Sequence, residues 1–217
     1  MRRSRMKSLA SIVSGAMRMQ GSGVLALGRA MDGPTSAKHR IKRVDRFLGN
    51  PQVEIDAVYE AVFHQFRART GPVVVLADWT DRHRFQQLVL ALPCNGRALP
   101  IYCATVPKGD GSGAHDGLMI QAEREALETL ADFCGDTIQP VIIADRGFGH
   151  TRWLNEIQNR GWYFVQRIAR NHYVETEHYI GHLSELGIKR GWKPKNWGTG
   201  TMGDKHWGPI RLVSVYV

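Results

Sequence analysis

Two short runs decide most of what this chain can become. Val73-Val74-Val75-Leu76-Ala77-Asp78 and Val141-Ile142-Ile143-Ala144-Asp145 are each continuously apolar, rich in β-branched residues, and closed by alanine and then aspartate. Such runs suit strands covered on both faces, at the centre of a sheet flanked by helices, rather than strands that alternate polar and apolar. Each therefore predicts a buried strand that delivers a carboxylate at its end. If the two strands are parallel neighbours, Asp78 and Asp145 stand side by side, where like charges repel unless a cation lies between them.

The text between and after these runs predicts the rest of the sheet. A polar turn at 81–84 leads to two strands, 85–92 and 97–106, joined through Pro93-Cys94-Asn95-Gly96, and Asn-Gly between apolar runs is a strong hairpin signal. The loop 108–117 carries four glycines but lacks the Gly-Lys-Ser/Thr ending of a phosphate cradle, so it reads as a connection. Helical spacing over 119–133 turns Ala122, Ala126, Leu127, Leu130 and Phe133 inward and Glu123, Arg124, Glu125 and Glu128 outward. A short helix over 151–160 packs Trp153, Leu154 and Ile157 and stops at Gly161, and a fifth strand covers 162–168.

The order is three antiparallel strands, helix, strand, helix, strand, an α/β arrangement. A right-handed crossover through the first of these helices returns the fourth strand parallel to the first and beside it. This is the order of the ribonuclease H-like fold, an analogy of architecture that licenses no function.

Charge divides the chain. Residues 1–49 hold eleven Lys and Arg against two Asp, a net +9, whereas residues 50–217 hold eighteen basic and eighteen acidic residues. A basic module on a neutral domain points to a polyanion, and nucleic acid is the commonest; the plainer reading is a solubilising lead-in. Residues 1–37 lack clear periodicity and read as a partly disordered lead-in. In 38–70 a helical unit is expected: a basic amphipathic helix with Ile41, Val44, Phe47 and Leu48 on one face, then a second helix opened by Asn50 as N-cap and Pro51, with Ile55, Val58, Tyr59, Val62 and Phe66 on its face. Residues 71–217 form the expected catalytic domain. Three scattered cysteines, Cys94, Cys103 and Cys134, support neither a disulfide framework nor a zinc ribbon, and a cytoplasmic location without a membrane span is expected.

Two carboxylates from adjacent strand ends suit Mg²⁺ or Mn²⁺, hard ions that take oxygen ligands and retain waters. Two such ions about 3.5 to 4 Å apart serve in-line displacement at phosphorus, so the predicted reaction is phosphodiester cleavage or transfer. The plainer reading of either aspartate alone is a strand-end residue bonded to a neighbouring turn. Ala144-Asp145-Arg146-Gly147-Phe148, with Asp78-Trp79-Thr80 and the 38–50 stretch upstream, resembles the DDE transposases of bacterial insertion sequences, in the family named for insertion sequence four. The likeness covers most of residues 35–170. It implies that Asp78 and Asp145 are catalytic metal ligands, that the fold is ribonuclease H-like, and that double-stranded DNA, as transposon ends and target, is the partner; a homodimer on DNA is a separate expectation. Lys38, Arg40, Lys42, Arg43 and Arg46 are then the candidates for DNA phosphates.

One departure bears on activity. The family's third carboxylate is a glutamate in a Tyr-x2-Arg-x3-Glu-x6-Lys pattern, and no tyrosine here has an arginine three positions on. The chain ends in a strand-like run, 211–217, and the expectation is a C-terminally truncated transposase. Glu156, Glu175, Glu177 and Glu185 are weak substitutes, the last three lying in a polar, solvated-looking stretch. Arg146 has two readings, a DNA phosphate contact or a fold-internal ion pair. His178 and His182 have helical zinc spacing without the accompanying glutamate and read as a surface pair. Trp192, Lys193, Lys195, Trp197 and Trp207 combine aromatic and basic character in a tail that suits either DNA or small-domain packing. The rival functions are a catalytically inert DNA-binding product and a stand-alone nuclease that recruits another acid.

Overall fold

Three helices come first in the computed structural model, which describes residues 3–19, 23–109, 114–191, 193–203 and 205–215. They are α1 (Arg3–Ala16), α2 (Val24–Ala30) and α3 (Ala37–Leu48), and they lie within one compact unit, Met1–Val58. Ile12 from α1, Met31 after α2 and Val44 from α3 form a small core, with Val24, Leu27 and Phe47 packed around it. Gly28 allows the closest approach, because a Cβ there would lie 2.5 Å from the Ile41 backbone. The stretch expected to be a partly disordered lead-in thus carries two helices. Each helix contributes one or two apolar residues to a shared core, so no single window shows a strong period.

The second predicted helix differs from expectation in start, face and partner. Asn50 does not cap it; the Asn50 side chain accepts from the Gln52 N–H at 3.0 Å in a local turn, and α4 begins later, spanning Ile55–Phe66. Ile55, Val58 and Phe66 are exposed, while Phe63 is fully buried beside Phe133, with Tyr59 and Val62 partly buried. From Tyr59 onward the chain belongs to the second compact unit, Tyr59–Val217.

That unit contains a five-stranded sheet in the order β3-β2-β1-β4-β5. Its strands are β1 (Val74–Arg82), β2 (Phe85–Cys94), β3 (Arg97–Pro107), β4 (Val141–Ala144) and β5 (Tyr163–Gln166). The meander β1-β2-β3 is antiparallel, and its second turn is the predicted one, with Asn95 and Gly96 at φ 49° and 76°. Helix α5 (Ala114–Cys134) carries the chain across to β4, which pairs parallel with β1, and α6 (Thr151–Asn159) leads to β5, parallel to β4. The glycine loop expected before α5 includes residues 110–113, which lie outside those described.

The faces of this sheet are not equivalent. Val75, Ala77, Ile142 and Ala144 point into the main core with Leu127 and Leu130 of α5 and Trp153, Leu154 and Ile157 of α6. The opposite face of the same strands carries Val74, Leu76 and Val141, half-buried, and Ile143, Tyr163 and Val165, exposed at 37%, 61% and 57%. The expectation of cover on both faces is therefore met on one face only among the described residues.

A second sheet, unforeseen from sequence, follows in the order β7-β6-β8-β9: β6 (Tyr173–Thr176), β7 (Tyr179–His182), β8 (Lys195–Met202) and β9 (Trp207–Ser214), all antiparallel. Strands of four residues and glycine-rich strands leave little alternation to read. Its aromatic residues are engaged within the fold: Trp197 is buried and donates to Ser214 Oγ of β9 at 2.9 Å, and Trp207 meets Phe164 of β5 and donates to Asn155 Oδ1 of α6 at 2.5 Å. Lys195 lies over the Trp197 ring, 3.7 Å from its centroid. Trp192 and residues 216–217 lie outside the described residues. His182 ends a strand rather than lying on a helix, and its Nδ1 sits 3.2 Å from the Asn171 carbonyl.

Candidate functional site

Parallel pairing of β1 with β4 ends at Ala77 opposite Ala144, so Asp78 and Asp145 occupy the next position on neighbouring strands. Strands in a sheet lie about 4.8 Å apart. Because both alanines point into the core and side chains alternate, both aspartates stand on the uncovered face, and both are exposed. Asp78 is not a terminal residue as expected: β1 continues to Arg82 against β2, and only its pairing with β4 stops at Ala77. Asp78 Oδ2 accepts from Thr80 Oγ at 2.6 Å. Asp145 Oδ1 accepts from the Gly147 N–H at 2.8 Å, capping a single 3₁₀ turn over Arg146–Phe148. A Cβ at Gly147 would come within 3.0 Å of that same oxygen, so glycine keeps the carboxylate uncrowded.

Each carboxylate keeps a second oxygen that takes no hydrogen bond among the described residues. Two hard, exposed oxygen donors on adjacent strands fit Mg²⁺ or Mn²⁺ in chemistry and number, since such ions retain several waters. No third ligand joins them: among the described residues no group of three or more His, Cys, Asp or Glu is placed to hold a metal. The glutamates considered from sequence are engaged elsewhere. Glu156 pairs with Arg160 at 2.6 Å, Glu175 with His206 at 3.6 Å, and Glu177 accepts from the Thr199 N–H at 3.3 Å. Glu185 sits beside Gly181 and Tyr179. Arg146 is exposed and makes no ion pair among the described residues, which leaves its guanidinium available to a ligand.

By sequence Glu123 belongs to the outward face of α5; in the structure it is buried, 5% exposed, in contact with Trp79 and His150. Its Oε1 accepts from Trp79 Nε1 at 3.2 Å and lies 3.3 Å from His150 Nε2. A signal was present, because Glu123 shares a stripe with Leu127, Leu130 and Cys134 at i+4, i+7 and i+11. Burial pushes the Cys134 thiol up to about 11, and burial also raises Cys103, so neither is poised as a thiolate nucleophile.

In the helical unit the five basic candidates separate. Arg40 is committed internally, its Nε donating to the Gly28 carbonyl at 3.2 Å and its Nη1 to the carbonyls of Thr35 and Gly33. Lys42, Arg43 and Arg46 line an open cleft of about 520 Å³ between α1 and α3, facing Ser4, Arg5 and Ser8, with His39 at its wall. Lys38 is exposed outside that lining.

A family model described as a transposase DDE domain matches residues 69–202, which run from before β1 to the end of β8. No curated protein matches the sequence. Among the described residues no helix is long and apolar enough to cross a membrane.

Proposed function

The chain belongs to the transposase DDE domain family, and from that premise we propose that it acts on DNA through Asp78 and Asp145 as a metal-binding pair. We read it as similar to the transposases named for insertion sequence four, with its five-stranded sheet as the catalytic core of a ribonuclease H-like domain. The observation that carries this reading is the register: two exposed carboxylates at the same level of adjacent parallel strands. Asp78 and Asp145 would hold Mg²⁺ or Mn²⁺ through carboxylate oxygens. When bound, the ion supplies charge neutralisation at the scissile phosphate and a more acidic attacking oxygen. Thr80 and the Gly147 N–H keep the two carboxylates aimed at the open face, and Arg146 contacts a DNA phosphate. The cleft lined by Arg5, Lys42, Arg43 and Arg46 holds backbone phosphates of double-stranded DNA, at transposon ends or target, in the bacterial cytoplasm.

The test is cleavage and strand transfer by the purified chain on end-bearing DNA with Mg²⁺ or Mn²⁺. Activity lost in Asp78→Ala and in Asp145→Ala supports the proposal, and metal-independent activity refutes it. A second reading rests on the absence of a third acid beside the pair among the described residues: a DNA-binding product that occupies ends or modulates an active transposase without cleaving. Salt-sensitive binding without cleavage at any metal concentration is its signature.

A further inference from the structure

We propose that Glu123 is a positioning residue that sets the separation of Asp78 and Asp145 from the opposite face of the sheet. This rests on the reading of those aspartates as metal ligands. Glu123 is the only charged side chain that is buried among the described residues. A carboxylate withdrawn from water is costly unless hydrogen-bonded, so its partners explain its place.

Those partners lie one residue after Asp78 and five residues after Asp145. Trp79 follows Asp78 directly and points to the covered face, where its indole N–H donates to Glu123 Oε1. His150 closes the turn that begins at Asp145. Its Nδ1 accepts from the Trp153 N–H at 3.2 Å and caps α6, so in the neutral ring the proton sits on Nε2, which faces both Glu123 oxygens at 3.3 Å. The turn between Asp145 and His150 is stiffened by Phe148, buried against Trp153 with ring centroids 4.9 Å apart.

The β1–β4 register stops at Ala77 and Ala144, one residue short of the two acids. Beyond that last pair the sheet itself does not tie Asp78 to Asp145, and the link that does runs through α5: Trp79 to Glu123 to His150. Removing the carboxylate uncouples the end of β1, which stays paired with β2, from the Asp145 turn, whose carbonyl is held by Gln166 of β5, and so loosens a two-carboxylate site. Glutamine preserves the link, because the single atom Oε1 lies within hydrogen-bond distance of both donors.

The experiment is Mn²⁺ binding to the full chain, read from the electron paramagnetic resonance signal of free Mn²⁺, with the unfolding temperature measured in parallel. Loss of an outer partner that orients metal ligands weakens affinity by about tenfold or more. Glu123→Ala is expected to raise the Mn²⁺ dissociation constant by about that factor, while Glu123→Gln stays near wild type. Leu130→Ala, a core truncation on the same helix, is expected to lower the unfolding temperature without changing the dissociation constant. Wild-type affinity in Glu123→Ala, or equal weakening in Leu130→Ala, overturns the proposal. If Glu123→Ala does not fold, Trp79→Phe removes one donor and keeps the ring packing; its affinity must then fall, and unchanged affinity overturns the proposal equally. Wild type and Asp78→Ala binding Mn²⁺ alike would instead sink the metal reading itself, and Glu123 would have nothing to position.

Discussion

The two faces of the five-stranded sheet are built from the same strands and are used differently. On one, Val75, Ala77, Ile142 and Ala144 join α5 and α6 in a dry core, and Glu123, the one buried charge among the described residues, is held by two donors. On the other, Asp78 and Asp145 stand exposed among half-buried and exposed apolar residues, Leu76, Val141 and Ile143. The lesson is a separation of labour across the thickness of one sheet. Packing energy accumulates where water is excluded, and the acids sit where a hydrated ion and a polyanion can reach them.

The sharpest way to break this contrast is to remove an acid. Asp78→Ala or Asp145→Ala should reduce metal-dependent DNA cleavage to background while costing no more than about 1 kcal/mol of stability, the lost cap of the Arg146–Phe148 turn in Asp145→Ala being the larger cost. A comparable fall in the unfolding temperature would mean the acids are structural. Next in size is truncation on each face. Leu130→Ala should cost about 2–5 kcal/mol by denaturant unfolding, whereas Val165→Ser on the open face should cost under about 0.5 kcal/mol. Equal costs would show that something covers the open face in solution.

The same division recurs on α3 at smaller scale. Arg40→Ala, which frees three backbone carbonyls, should lower stability by about 1–2 kcal/mol. Lys42→Ala or Arg43→Ala should leave stability unchanged and reduce the slope of log binding constant against log salt by about 1 on any DNA sequence. The smallest effect concerns thiols. With Cys134 raised to about 11 by burial, it should resist a thiol reagent at pH 8 in the native chain, and react only as pH approaches that value or on unfolding. Fast labelling of Cys134 at pH 8 would show that the covered face opens.

Much of this architecture is legible in the sequence. Valine-rich runs, an Asn-Gly turn and a long amphipathic helix are local signals, and local signals specify element type and order. With the right-handed crossover, that order brings β4 beside β1. What was not legible depends on which surface an element meets. The buried face of α4 turned on Phe63 meeting Phe133, because Ile55, Val58 and Phe66 suit a helical stripe equally well. The second sheet was hidden by strands of four residues and by glycines at Gly198 and Gly200. At Gly200 a Cβ would lie 1.9 Å from the Glu175 carbonyl oxygen, a closeness that no sequence window reveals.

The sequence alone determined the strand order and the positions of two aspartates after matching Ala77 and Ala144, since strand periodicity and crossover handedness follow from backbone geometry. Only the tertiary structure decided that the acids occupy the uncovered face, that Arg40 is spent on carbonyls, and that Glu123 lies buried between Trp79 and His150. A charge goes inside only where distant segments supply its donors, and those segments, 44 and 27 residues away in the chain, are brought together by folding.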